Sequence, residues 1–222
     1  MTAVRARRRI PALLPLLLSA LALATVSAAG CSRLPRIVVL EDPLSAREHL
    51  DLGVAYERKG ELDLAAREYG RALRKDAGLV QARVNLGNVR LAQKKYGDAR
   101  REYLRALETR PGDLEAENNL AWVAILSGEG IGDALQRLEG ALAAGTSRPP
   151  AVLDTVGVLR MRANRPGDAE AAFAEAESAC EALRAGQGEA GCPEATLREI
   201  RDHRRELGGR FPGAPLPPSL VK

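Results

Sequence analysis

The sequence predicts an all-α fold, an α-solenoid of about four helix-turn-helix repeats closed by a C-terminal capping helix, on three observations. The first is a spacing. Leu52-Gly53, Tyr56, Ala65, Tyr69 and Ala72 recur 34 positions later as Leu86-Gly87, Arg90, Ala99, Tyr103 and Ala106, followed by Pro111. A period of that length marks stacked helical hairpins, each with an apolar face it cannot bury alone. The second is composition: Ala, Leu, Lys, Arg and Glu dominate and aromatics are only 3%, which favours helix over strand. The third is punctuation. Lys59-Gly60, Arg110-Pro111-Gly112-Asp113 and Gly128-Glu129-Gly130 fall between amphipathic stretches, where turns and helix stops belong.

Taken in order, Ser45 with Glu48 three residues on reads as a capping box opening the first helix. The first pair spans about 45–58 and 62–74, the second 79–93 and 96–108, the third 114–126 and 131–143. The fourth runs from 151 to 163 and from Pro166 into the 170s. The repeats therefore occupy about 46–79, 80–113, 114–148 and 150–180 of a domain over 45–180. Residues 181–208 read as a loop and a capping helix that begins after Pro193, and 209–222 as a disordered Pro-rich tail.

These residues resemble the tetratricopeptide repeat over about 46–180. Leu52, Gly53, Tyr56, Ala65, Tyr69 and Ala72 fit its pattern in the first repeat, and Leu86, Gly87, Ala99, Tyr103, Ala106 and Pro111 in the second, where Arg90 replaces the aromatic. In the third, Leu120 and Ala121 fit, and one extra residue in the Gly-rich turn sets Ala134, Leu138 and Ala141 one place late. Val156, Gly157, Ala169, Phe173 and Ala176 fit in the fourth. His49, Arg83, Glu117 and Leu153 occupy the family's Trp position, which reads as freely variable. The small residues let paired helices approach, and large ones fill the space between.

The N-terminus reads as a targeting segment. Arg5, Arg7, Arg8 and Arg9 precede an uncharged stretch over 10–29 that ends in small residues before Cys31. Ala28-Ala29-Gly30-Cys31 resembles the bacterial lipobox, with Ala28 where Leu is commoner. The resemblance implies a signal peptide over 1–30, a lipidated, acylated (palmitate-type) Cys31, and a tether over 31–44. An uncleaved membrane anchor is the alternative, against which Pro11 and Pro15 argue. Ser32, where an inner-membrane protein would carry Asp, implies the periplasmic face of the outer membrane.

Charge excludes one class of partner. The chain carries 33 Lys and Arg against 29 Asp and Glu, and four of its arginines precede Cys31. The mature chain is balanced, with no net basic footprint for nucleic acid. Catalysis is not expected either: His49 and His203 lie at opposite ends, without metal-ligand spacing to cysteines, and no phosphate loop or nucleophile elbow appears. No cofactor is expected.

Two cysteines are left beyond Cys31. Cys180 and Cys192 flank a short Gly-rich segment, and in an oxidising compartment they either bridge or stay as free thiols.

The family's inner face comes from the first helix of each pair. Its register makes Arg47, Leu50, Val54, Gln81, Asn88, Leu91, Glu115, Asn118, Trp122, Asp154 and Arg162 the candidate peptide-binding residues. Trp122 either anchors a partner or packs in the core, and Asn85 and Asn119 either meet a partner or brace the scaffold. Leu50 stands where chaperone-binding members place the first Lys of their carboxylate clamp, so that specificity is not expected. The resemblance implies a membrane-anchored scaffold for other envelope proteins or peptides. Two alternatives are an accessory that delivers substrate to a secreted peptidase or polysaccharide exporter, and a cysteine-dependent redox protein.

Overall fold

The structure, a computed structural model, describes residues 42–211. The signal segment, Cys31, most of the tether and the tail from 212 lie outside the described residues. Within them the chain forms α1 (Ala46–Arg58), α2 (Leu62–Lys75), α3 (Val80–Ala92), α4 (Tyr96–Thr109), α5 (Leu114–Ser127), α6 (Ile131–Ala144), α7 (Pro150–Arg162), α8 (Pro166–Gln187), a 3-10 turn (Gly188–Ala190) and α9 (Glu194–Arg210), with no strand among them.

Local chemistry sets the helix ends. Ser45 accepts from the Glu48 amide while the Glu48 carboxylate accepts from the Ser45 amide, a reciprocal cap on α1. Asp113 caps α5 through the Ala116 amide, 3.1 Å away. Pro150 and Pro166 open α7 and α8, where a missing N–H costs nothing. The four turns within repeats each place one residue in the left-handed region: Gly60, Lys94, Gly128 and Asn164. The third turn takes a second such residue, Gly130, which accommodates the extra residue seen in the sequence.

Each pair packs as a hairpin, and the stack closes through contacts of first helices with first helices: α1 with α3, α3 with α5, α5 with α7, α7 with α9. The second helices do not pack on one another in this way, so the first helices form the inner side. Three buried clusters follow the stack, one between the first two repeats, one between the second and third, and the largest from Ala121 to Leu207.

Within a pair the approach of the helices is set by one residue couple. Gly53, Gly87 and Gly157 lie so close to the rings of Tyr69, Tyr103 and Phe173 that an added Cβ would overlap them. In the third repeat the couple is Ala121 and Leu138, both buried. The aliphatic side chain leaves room for the methyl that an aromatic ring would exclude.

The capping region differs from the sequence expectation. Residues 181–187 are not a loop: α8 runs through Cys180 to Gln187, and residues 209 and 210 finish α9 instead of starting a tail. Ala179 and Leu183 pack against the large cluster, and Cys180 is fully buried. That apolar side explains why the helix continues.

Candidate functional site: the inner face and its cap

The inner face is built from α1, α3 and α5. Arg47, Gln81 and Glu115 are exposed on it, and Val54, Asn88, Leu91, Asn118 and Trp122 are half-buried. Arg162 on α7 is also exposed. Two of the predicted surface residues are not there. Leu50 is buried in the first cluster, and Asp154 is buried beneath α9. The repeat register puts both on the side of their helices that turns into the stack.

Polar side chains along this face are tied to the scaffold. Tyr69 donates its hydroxyl to Glu57 Oε2 at 2.6 Å. Tyr103 donates to Asn88 Oδ1 at 2.7 Å, and Asn119 Nδ2 donates to that same oxygen at 3.0 Å. Asn88 therefore links α3, α4 and α5 and is a brace of the second and third repeats. Burial raises the Tyr69 phenol well above its usual range, with the Glu57 hydrogen bond adding to it. Tyr103 is raised chiefly by burial, then by the Glu115 charge. Both stay protonated donors. Gln81 donates to Asn85 at 3.0 Å along the exposed surface of α3. The Asn118 amide oxygen is buried without a partner among the described residues.

The C-terminal helix closes one end of the face. His203 of α9 has Nδ1 2.8 Å from Asp154 Oδ2 and 3.0 Å from Oδ1. Its ring centroid lies 6.5 Å from that of Trp122 on α5 and 6.1 Å from that of Phe173 on α8. The Asp154 hydrogen bond raises the His203 pKa against the opposing pull of burial, with Asp154, Glu199 and Glu206 adding negative potential. Trp122 is thus half in the core and half at the boundary between groove and cap. Arg201 pairs with Glu177 and Glu181, and Arg204 with Glu170 and Glu177. The Arg201 hydrogen bond is the main cause of a lowered Glu177 pKa. A disulfide joins Cys180 to Cys192, their Cα atoms 5.4 Å apart. It clips the body of α8, not its end, to the start of α9.

A second polar arrangement crosses each of the first three helix pairs. The residue four before each Gly or Ala of the packing couple faces the residue just before each Tyr or Leu. His49 Nδ1 meets Glu68 Oε2 at 2.8 Å, and Arg83 Nη1 meets Glu102 Oε2 at 3.5 Å. Arg137 grips Glu117 with two bonds of 3.0 and 2.7 Å, the signs now reversed. In the fourth repeat the positions hold Leu153 and Ala172, both buried. The Trp position is not free: its side chain is chosen with its partner on the second helix, and opposite charges at matched repeat positions were the available signal.

Among the described residues no group of three His, Cys, Asp or Glu could hold a metal ion, and no helix is long and apolar enough to cross a membrane. The profile of the tetratricopeptide repeat matches residues 32–80 and 84–149, together more than half of the chain. The chain belongs to the tetratricopeptide repeat family. No curated protein matches it. Solved structures similar to this tetratricopeptide protein include YrrB, a TPR protein with an unusual peptide-binding site, at 19% identity over 74% of this chain and 87% of that one, TM-score 0.52. PilW, a widely conserved type IV pilus biogenesis factor, is 17% identical over 74% and 78%, TM-score 0.57. TTC0263 from Thermus thermophilus is 17% identical over 73% and 98%, TM-score 0.53. At these identities the likeness is one of fold. The tetratricopeptide fold implies protein or peptide partners.

Proposed function

We propose that this protein is a membrane-anchored scaffold of the bacterial envelope, lipidated at Cys31, held at the periplasmic face of the outer membrane, and receiving protein segments along the inner faces of α1, α3 and α5. The observation that carries the binding half is the division of the inner face. Its C-terminal end is closed by α9 over Asp154 and Trp122, while Arg47, Gln81 and Glu115 on the three preceding first helices are exposed. A surface that mixes apolar positions with amides and charges suits a peptide backbone with side-chain anchors, and YrrB, of similar fold, carries a peptide-binding site. The anchoring half is supported by the four arginines, the uncharged stretch and the small residues before Cys31.

Photo-crosslinking residues at Gln81 and Glu115, tested in intact cells, should capture the same partner, and one at Arg105 on the second helix of a repeat should not. Equal capture from all three positions would count against the inner face. Separately, Cys31→Ala should leave the protein unprocessed or released, and an unmodified Cys31 in the mature, membrane-bound chain would refute lipidation.

A further inference from the structure

The three junctions between successive repeats are not filled alike on the outer side. In the first, Arg90 sits over the junction and donates to Gln93, which donates in turn to Asp63 at 2.9 Å. In the third, Arg160 grips Glu139 and donates to the Asp168 carbonyl. In the second junction the residue at that repeat position is Ala124, and Gly97 and Ser127 stand where Asp63 and Gln93 do. Hollows at the first and third junctions are lined by these charged and amide side chains, whereas the second holds a crevice of about 90 Å³ between α4, α5 and α6 in which they are missing.

The walls are Tyr96 of α4 and the apolar Leu120, Val123 and Ala124 of α5. The mouth carries Arg100, Glu129 and Asp133, all exposed. Among the described residues none of these three side chains has an ion pair or hydrogen bond. A dry apolar cavity of about 150 Å³ takes a benzene ring, so this smaller one matches a single branched aliphatic side chain. The unpaired charges of both signs at its mouth are complementary to a segment with an acidic and a basic residue beside that side chain.

We propose that this outer crevice is a second partner site, independent of the inner face, which takes one leucine-sized side chain of a protein segment flanked by an acidic and a basic residue. The scaffold would then hold two partners on opposite sides of the same repeats.

The test is an NMR titration of the full mature chain with N-acetyl-leucine methylamide, N-acetyl-alanine methylamide and the peptide acetyl-Glu-Leu-Lys-amide. Saturable shifts are expected at the amides of Gly97, Ala124 and Gly130. The alanine compound should bind about tenfold more weakly or worse, since it lacks three buried carbons. The charged peptide should bind more tightly than the blocked leucine, and Arg100→Glu should remove that gain. Ala124→Arg places at the crevice the residue that the other junctions carry there, and Gly97→Gln adds bulk at a site whose Cβ meets nothing within 4 Å. Both should abolish the shifts; Ala124 is buried, so its variant should also melt lower, whereas exposed Gly97→Gln should not. Shifts that persist in both variants would overturn the proposal. So would the absence of a saturable shift, no gain from the flanking charges, or changes that follow protein concentration without any probe, which would assign the crevice to a second copy of this chain.

Discussion

His203 and Asp154, 49 residues apart, form the ion pair by which the last helix seats on the fourth repeat, with Nδ1 and Oδ2 2.8 Å apart. Asp154 is buried and His203 is mostly so. The charged imidazole offsets the desolvation of the carboxylate, and without it a lone charge would be left under α9.

That pair makes stability depend on pH in one direction. The His203 pKa is raised above 6.5 in the folded chain, chiefly by the Asp154 hydrogen bond. Its contribution is therefore fully present below pH 6.5 and lost as pH rises through the folded-state value. Urea melts should show wild-type stability falling between pH 6 and pH 9 by more than in His203→Gln. At pH 6 the substitution should cost about 1–2 kcal/mol. Parallel pH profiles for the two proteins would remove His203 from this role.

The packing couples predict a double-mutant cycle. Gly87→Ala places a methyl into the Tyr103 ring and should cost about 1–3 kcal/mol. Tyr103→Leu alone leaves a cavity and frees Asn88 from its hydroxyl partner. The two together recreate the Ala121 and Leu138 couple of the third repeat. The double variant should be more stable than the sum of the single costs allows; strict additivity would show that the couple does not set the approach of the helices.

Reversing a cross-helix pair gives a similar test. Glu117→Arg puts two guanidinium groups together at a site where Glu117 is nearly buried and should cost about 2–3 kcal/mol. Adding Arg137→Glu reproduces the polarity of Arg83 and Glu102 and should recover most of the loss. No recovery would mean that the sign at this position is fixed by more than its partner.

The Cys180–Cys192 bridge closes a short loop between α8 and α9. Thiol labelling of denatured, non-reduced protein should find neither cysteine free. Reduction should lower stability by about 3 kcal/mol in the chain-entropy account, with the loss read at the C-terminal helix. Quantitative labelling of both before reduction would contradict the bridge.

The sequence carried the fold because each repeat states its packing locally. Gly53, Gly87 and Gly157 mark the close approaches, and Tyr69, Tyr103 and Phe173 follow at fixed spacing. The boundaries of α1 to α7 are legible for the same reason, through caps and turn residues. The site was less legible. Trp122 lies half-buried on α5 beside His203, which arrives from 81 residues away and is signalled by nothing local. Asn88 looked like a groove side chain because its register faces inward, yet its oxygen is taken up by Tyr103 and Asn119. The C-terminal end of α8 is hidden in the sequence because the glycines from 186 on read as a loop, while the buried Cys180 and half-buried Leu183 carry the helix past Gly186 to Gln187.

Binding of the partner by the inner face of the first three repeats is read by calorimetric titration of the segment captured at Glu115. Asn88→Ala is the wrong variant for this purpose, since it should destabilise the second and third repeats. Glu115→Arg and Gln81→Glu alter exposed side chains and should leave the melting temperature in place. Combined, they should weaken binding at least tenfold, about 1.4 kcal/mol. An affinity equal to wild type in that double variant would move the partner off the inner face.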